Sequence, residues 1–344
     1  MTNLINELVT LAGKAGWLNN YYVLFVSNPK SGGFTNAKAY RKHLAAIKQF
    51  TASFTGDGTV NNIITTMQNS NFGDFKEFIP KLATLSDGKL LFIVSLGGDG
   101  LASEIVSSLA NSDNALQQRS LVLKAPMGTG NDGSSCKTMY EVCQLIAYGP
   151  ESGRQELAKI INIDVPGLGR LYATNTVCLG IDAFIAYITD IAKSKMAANL
   201  YKPMITVAAL FYNCFYSIGK SHIKATLTNN QPHEFNKKLM LFCVGYQGGA
   251  KYGGGQTVIP NTENVCALAY LSILKRIIYK NRIASGDHRS LKETDLFTSN
   301  QLTYNYDRKI LLNTDGEAYK LNQQNFPLTI NITTSQTKVL KTKL

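Results

Sequence analysis

The chain has 344 residues, 44% hydrophobic and 17% charged, which suggests about two domains and excludes a mainly disordered or fibrous protein. Thirty-five Lys and Arg against 23 Asp and Glu leave a formal charge of +12 at pH 7, an excess that suits nucleic acid, an anionic membrane or a phosphorylated substrate. The bases are dispersed and no aromatic–glycine motif of an RNA-binding domain occurs, so no nucleic-acid partner is expected.

Residues 1–20 lack the basic start and apolar run of a signal peptide, and Leu4, Leu8 and Leu11 share one helical face that is expected to pack on the domain. YYVLFVS (21–27) reads as a buried strand that ends at Asn28-Pro29. Ala37 to Ile47 reads as a helix, QFTASFT (49–55) as a strand, and Val60 to Met67 as the next helix. LLFIVSL (90–96) is a fully apolar strand stopped by Gly97-Gly98, Leu101 to Leu109 a helix, and SLVLKAP (120–126) a further strand. This alternation predicts a Rossmann-like α/β domain over 1–148: a parallel sheet with helices on both faces, with the tail 331–344 a candidate to join it.

Beyond about residue 150 the texture changes. Short β-rich segments such as KKLMLFCVGYQ, RKILLNT and FPLTINIT, separated by Gly, Pro and Asn turns, predict an antiparallel β-sandwich over 149–330. An apolar, aromatic insertion at about 183–218 (Phe184, Tyr187, Phe211, Tyr212, Phe215) reads either as core or as a lipid-facing wall. The apolar run from Met204 to Ile218 is shorter than the roughly 20 residues that span a bilayer. Six cysteines without metal spacing read as reduced thiols in a cytosolic protein.

Three glycine-rich turns each follow a strand of the first domain, where open α/β sheets bind ligands. The first holds Asn28, Ser31, Gly32 and Gly33, whose glycines let the backbone approach an anion. The second, Gly97-Gly98-Asp99-Gly100, sets a carboxylate at a strand tip within a flexible frame. Asp99 there can bind Mg²⁺, accept a proton or simply cap the helix. Glu104, one turn on, reads as a hydrogen-bond partner of that loop or as a surface side chain. The third, Gly128-Thr129-Gly130-Asn131-Asp132, offers neutral hydrogen-bonding groups suited to phosphate or ribose, or to an Asx-turn. No GxxxxGK[ST] occurs, and no GxGxxG opens the chain. Far along, Asp315-Gly316-Glu317 follows RKILLNT and reads locally as a hairpin turn.

NPKSGG, GGDG with Glu104 behind it, GTGND and DGE, in this order, resemble the diacylglycerol kinase catalytic-domain family, which includes sphingosine and ceramide kinases. The resemblance spans about 21–330. It implies transfer of a phosphoryl group from ATP with Mg²⁺ to a primary hydroxyl of a lipid acceptor, diacylglycerol foremost, by a cytoplasmic protein peripheral to an anionic membrane surface. It places Asn28, Ser31, Gly32, Gly33, Thr55, Gly97, Gly98, Gly100, Glu104, Gly128, Thr129, Gly130, Asn131 and Asp132 at the nucleotide. It implies Asp99, Asp315 and Glu317 as the catalytic and magnesium-binding carboxylates, and Asp182 resembles a position that faces the acceptor in sphingosine kinases or reads as a buried structural Asp. Leu101 after GGDG is shared with sphingosine kinases, whereas GTGND is closer to the diacylglycerol group. NTENVCALAYLSI stands where bacterial members carry an acidic Asp-Gly turn, so their additional structural metal site is not expected. The alternatives are a soluble-acceptor kinase of the NAD kinase or phosphofructokinase type, which shares GGDG, and a lipid- or nucleotide-binding protein without turnover. Oligomeric state is not legible.

Overall fold

The computed structural model describes the chain except residues 57, 59–62, 72, 87, 129–134, 194–203, 206, 250–258, 260, 261, 286 and 344. By its contacts the chain forms two units, one of residues 1–158 and 334–344 and the other of residues 159–333.

In the first unit the elements run α1 (Thr2–Gly13), β1 (Tyr21–Ser27), α2 (Gly32–Thr35), α3 (Ala37–Ser53), β2 (Ile63–Gln68), α4 (Asp74–Leu85), β3 (Leu90–Leu96), α5 (Asp99–Ala110), α6 (Asn114–Gln118), β4 (Ser120–Lys124) and α7 (Met139–Tyr148). The strands form a parallel sheet in the order β2-β1-β3-β4, and the chain's last strand continues it with Lys338–Leu340 parallel to β4. Buried on both faces, β1, β3 and β4 are continuous apolar runs and not alternating ones. Leu4, Leu8 and Leu11 of α1 are buried in the same core as Phe25, Phe92 and Leu123.

Two readings of the sequence are corrected in this unit. Residues 49–53 are not a strand: α3 runs on through them, because Ile47, Phe50 and Thr51 continue one buried helical face. Of the segment read as a helix at 60–67, residues 60–62 lie outside the described residues and the rest belongs instead to β2, where the β-branched run Ile63-Ile64-Thr65-Thr66 pairs with β1, with Tyr22 opposite Ile63 and Ser27 opposite Gln68.

The second unit contains two antiparallel sheets. Its elements begin with β5 (Gly153–Val165), which enters from the first unit, followed by β6 (Gly169–Ala173), β7 (Thr176–Gly180), α8 (Ile181–Lys193), α9 (Tyr212–Phe215), β8 (Ser221–Leu227), β9 (Pro232–Lys237) and β10 (Leu239–Gly245). They continue with β11 (Val265–Ala269), α10 (Ile273–Ser285), β12 (Thr294–Phe297), β13 (Ser299–Tyr306), β14 (Ile310–Thr314), β15 (Glu317–Leu321) and β16 (Leu328–Thr342), whose first half belongs here. One sheet runs β16-β13-β8-β9 and the other β12-β11-β10-β7-β14-β15. Ile223, Leu302, Tyr304 and Ile330 of the first share a core with Val177, Phe242, Val265 and Leu312 of the second, which makes the pair a sandwich. On the outer face of the six-stranded sheet, Cys178, Cys243 and Cys266 stand opposite one another on β7, β10 and β11, all buried. Of the six cysteines only Cys214 is exposed, and all six are free thiols.

Candidate functional site

The order β2-β1-β3-β4 has its topological switch between β1 and β3, where successive connections leave in opposite directions. In open α/β sheets a crevice forms at that point, beyond the carboxyl ends of the strands. NPKSGG and GGDG are the segments that leave those two strands. Ser27 is in register with Leu96, and the Asn28 N–H donates to the Leu96 carbonyl at 3.1 Å, so the two loops start side by side.

The segment after β4 joins them. The Gly33 N–H donates to the Met127 carbonyl at 2.8 Å, and a Cβ on Gly33 would meet the Met127 side chain at 2.8 Å. A side chain at 33 would have to displace the buried end of Met127. At Gly98 the situation differs, since a Cβ would lie 3.6 Å from the Gly128 Cα, an ordinary contact, with φ at −82°. Gly97 lies over Leu101, whose buried side chain would be 2.5 Å from an added Cβ. Thr129, Gly130, Asn131 and Asp132 lie outside the described residues.

Asp99 is the first residue of α5 and Gly98 its N-cap. The unpaired N–H groups of that first turn favour negative charge, from Asp99 itself or from a bound anion. The Asp99 carboxylate is ion-paired with the ammonium of Lys124, a buried side chain at the end of β4. Register explains the meeting: Ser95 lies opposite Lys124, and Asp99 follows four residues later. Ser31, at the N-cap of α2, and Ser95, at the tip of β3, have buried hydroxyls with no hydrogen-bond partner among the described residues. Such orphaned groups carry a desolvation cost that a ligand can relieve. Lys124 and Ser95 were not legible as site residues, because each closes an otherwise apolar strand.

Glu104 is buried, and its carboxylate has a defined set of donors. Oε1 accepts from the N–H groups of Gly73 and Phe75 at 2.9 and 3.0 Å, and Oε2 from Asn69 Nδ2 at 3.2 Å. It thereby caps the start of α4, whose own N-cap residue, Gly73, has no side chain to do so. Thr55 is exposed and follows the end of α3, so it is not at a strand terminus as the sequence suggested.

In the second unit, Asp315 and Gly316 form the two-residue turn between β14 and β15, with φ of 49° and 103° and Thr314 opposite Glu317. Both Asp315 oxygens accept hydrogen bonds from the β6–β7 connection. Oδ2 takes the Thr174 N–H at 2.6 Å and its hydroxyl at 3.0 Å, while Oδ1 takes the N–H groups of Asn175 at 3.0 Å and Thr176 at 2.9 Å. A carboxylate held by four donors has little capacity left for a cation. Glu317 is exposed at the start of β15. Asp182 is buried in the first turn of α8, beside the Cys178 thiol, which burial and contact with Cys243 hold far above its ordinary pKa. Phe184 and Tyr212 are core with Leu311, whereas Phe211 and Phe215 are exposed.

Among the described residues no group of three or more His, Cys, Asp or Glu side chains is placed to hold a metal ion. Mg²⁺ commonly binds through one or two carboxylates plus substrate phosphates and water, so Asp99 at a helix N-terminus fits as one such ligand. Among the same residues no helix is long and apolar enough to cross a membrane.

Residues 22–149 match the family model of the diacylglycerol kinase catalytic domain, a family of phosphotransferases that act on lipid hydroxyls. No curated protein matches the chain. Among solved structures, a diacylglycerol kinase from Bacillus anthracis aligns over 92% of this chain and 96% of its own at 17% identity, with a TM-score of 0.57. Two further structures from that organism, provisionally so named, align at 17% identity with TM-scores of 0.58 and 0.59, covering 92–93% of this chain and 96–97% of theirs. At this identity the structural likeness is one of fold.

Proposed function

From the match of residues 22–149 to the diacylglycerol kinase catalytic-domain model, we propose an ATP-dependent kinase that phosphorylates the primary hydroxyl of a lipid, diacylglycerol foremost. The observation that supports it most is the meeting of three glycine-bearing loops around Asp99 at the switch point of the parallel sheet. Transfer of a phosphoryl group needs alignment and charge neutralisation more than a covalent intermediate.

In this reading the backbone around Gly97, Gly98 and Gly100 and the first turn of α5 receive phosphate oxygens. Asn28, Ser31, Gly32 and Gly33 border the nucleotide from the β1 side and Gly128 from the β4 side, while Thr129, Gly130, Asn131 and Asp132 keep the nucleotide role that the resemblance implies. The Ser31 and Ser95 hydroxyls gain the partners they lack. Asp99 would be the protein ligand of Mg²⁺, which when bound would neutralise charge on the transferring group. Lys124 holds the Asp99 carboxylate in place and adds a positive charge beside the phosphates. Asp99 accepts the acceptor's proton as the hydroxyl oxygen bonds to phosphorus and the bond to the departing ADP oxygen breaks.

Glu104 acts here through the fold, as the cap of α4, and Asp315 as the brace of the β6–β7 connection. Glu317, Thr55 and Asp182 keep the catalytic, nucleotide and acceptor roles that the resemblance implies. Leu101 packs beneath Gly97, and the preference for diacylglycerol over sphingosine rests on the likeness of GTGND to the diacylglycerol group.

The test is transfer from labelled ATP and Mg²⁺ to dispersed diacylglycerol, sphingosine and ceramide, with NAD and fructose 6-phosphate as soluble acceptors. Labelled phosphatidic acid supports the proposal. Label in a soluble acceptor alone, or in none, overturns it.

A further inference from the structure

We propose that α10 and the adjoining 207–215 segment form the surface by which this protein lies on an anionic lipid bilayer. Ile273, Leu274, Ile277 and Ile278 of α10 are 44, 68, 55 and 62% exposed. At about 100° per residue these four side chains fall within an arc of about 140°, one continuous apolar face over the first turns. Lys280 borders that arc on the Ile273 side, and Arg282 lies just beyond Ile278 on the other. Bases flanking both margins of an exposed apolar face are the pattern of a helix lying in a membrane interface, its cations reaching for headgroups.

The opposite face fixes the helix to the protein. Arg276 is buried, donating to the carbonyls of Leu271 and Leu210 at 2.9 Å each and to Asn213 Oδ1 at 2.7 Å, with its guanidinium over the Tyr270 ring. This side chain ties α10 to the segment that carries Val207, Phe211 and Phe215, which are 54, 45 and 61% exposed. The two elements thus present apolar side chains from one braced platform. Asn281, in the last turn, is the polar interruption on the exposed side.

Charge selects the occupant. Residues 273–285 contain Lys275, Arg276, Lys280 and Arg282 and no Asp or Glu. Lys275 is paired with Glu293, whereas among the described residues neither Lys280 nor Arg282 has an ion-pair partner. Two copies of this chain meeting through α10 would bring like charges together, while an anionic bilayer meets both the bases and the apolar arc. The surface takes its purpose from the lipid-kinase reading, since a water-insoluble acceptor is presented in a membrane.

The experiment separates the two proposals. The full chain is sedimented, without ATP or acceptor, with vesicles of phosphatidylcholine alone and of phosphatidylcholine mixed with phosphatidylglycerol. Transfer is measured separately on a short-chain diacylglycerol in solution. Wild type is expected to partition onto the anionic vesicles. Leu274→Ser with Ile278→Ser lowers that partition on the order of 100-fold, about tenfold per apolar side chain withdrawn. Lys280→Glu with Arg282→Glu abolishes the preference for phosphatidylglycerol, and both variants keep wild-type activity on the soluble acceptor. Wild-type sedimentation by both variants, or no vesicle binding by wild type, overturns the docking surface. So does a wild-type dimer that the Ser variant converts to monomer. Activity on the short-chain diacylglycerol with no vesicle binding leaves the kinase reading intact, and vesicle binding without transfer to any acceptor sinks only that reading.

Discussion

Replacing Glu104 distinguishes a residue that builds the site from one that binds nucleotide. In Glu104→Ala the N–H groups of Gly73 and Phe75 lose their acceptor, as does one donor of Asn69, whose Nδ2 retains the Asn71 carbonyl at 3.1 Å. The Phe75 N–H is buried and the Gly73 N–H half-buried, and at roughly 1–3 kcal/mol for a buried donor left unsatisfied a loss of about 3 kcal/mol is expected. Glu104→Gln retains an acceptor for the backbone pair but turns an amide nitrogen toward Asn69, and should lose about 2 kcal/mol. Urea unfolding followed by circular dichroism reads both values, and ATP affinity is measured at a temperature where each variant remains folded. The capping account predicts lost stability with ATP affinity within about twofold of wild type, well under the tenfold that 1.4 kcal/mol would produce. Unchanged stability with an affinity loss of tenfold or more would refute it.

The glycines make a matched pair. Gly98→Ala meets only an ordinary contact and should leave stability within about 0.5 kcal/mol while weakening ATP binding, whereas Gly33→Ala drives a Cβ into Met127 and should cost about 1–3 kcal/mol; thermal unfolding and nucleotide titration check both. Thiol labelling of the native chain should show one fast group, Cys214, because the other five are buried and the Cys136 and Cys143 thiols are pushed up to about 12. Five slow thiols that become fast in urea fit this, and a second fast native thiol contradicts it. His43, half-buried on α3 and beside Lys42, has its pKa held below 6.5 chiefly by burial. The unfolded chain then binds this proton first, so its contribution to stability is full above pH 6.5 and is lost as pH falls toward the folded value. Denaturation midpoints should drop across that window in wild type and stay flatter in His43→Gln.

The fully buried strands were the most legible part of the chain, since YYVLFVS and LLFIVSL admit no other use for seven apolar-rich residues between turn signals. The differences at 49–53 and 63–67 lie where short segments mix aromatic and β-branched residues. Phe50 and Thr51 belong to a helix because Ile47, one turn earlier, commits that face to the core, and Ile63-Ile64 to a strand because β1 offers a free edge. Glycine spacing located the three loops, whereas Lys124 could not be found that way. Its meeting with Asp99 depends on the register of β3 against β4, which is a tertiary fact. Local sequence likewise gave no hint that Asp315 braces the β6–β7 connection, some 140 residues earlier in the chain.

Asp99 carries the central claim, and Asp99→Asn tests it most directly, since the amide keeps the shape and removes the charge and the proton acceptor. ATP affinity and single-turnover transfer to diacylglycerol are measured on the same preparation. The account predicts ATP binding within about tenfold of wild type and a transfer rate lowered by roughly 10²–10⁴, the contribution typical of a positioned acid–base group. Transfer at the wild-type rate by the Asn variant would contradict it.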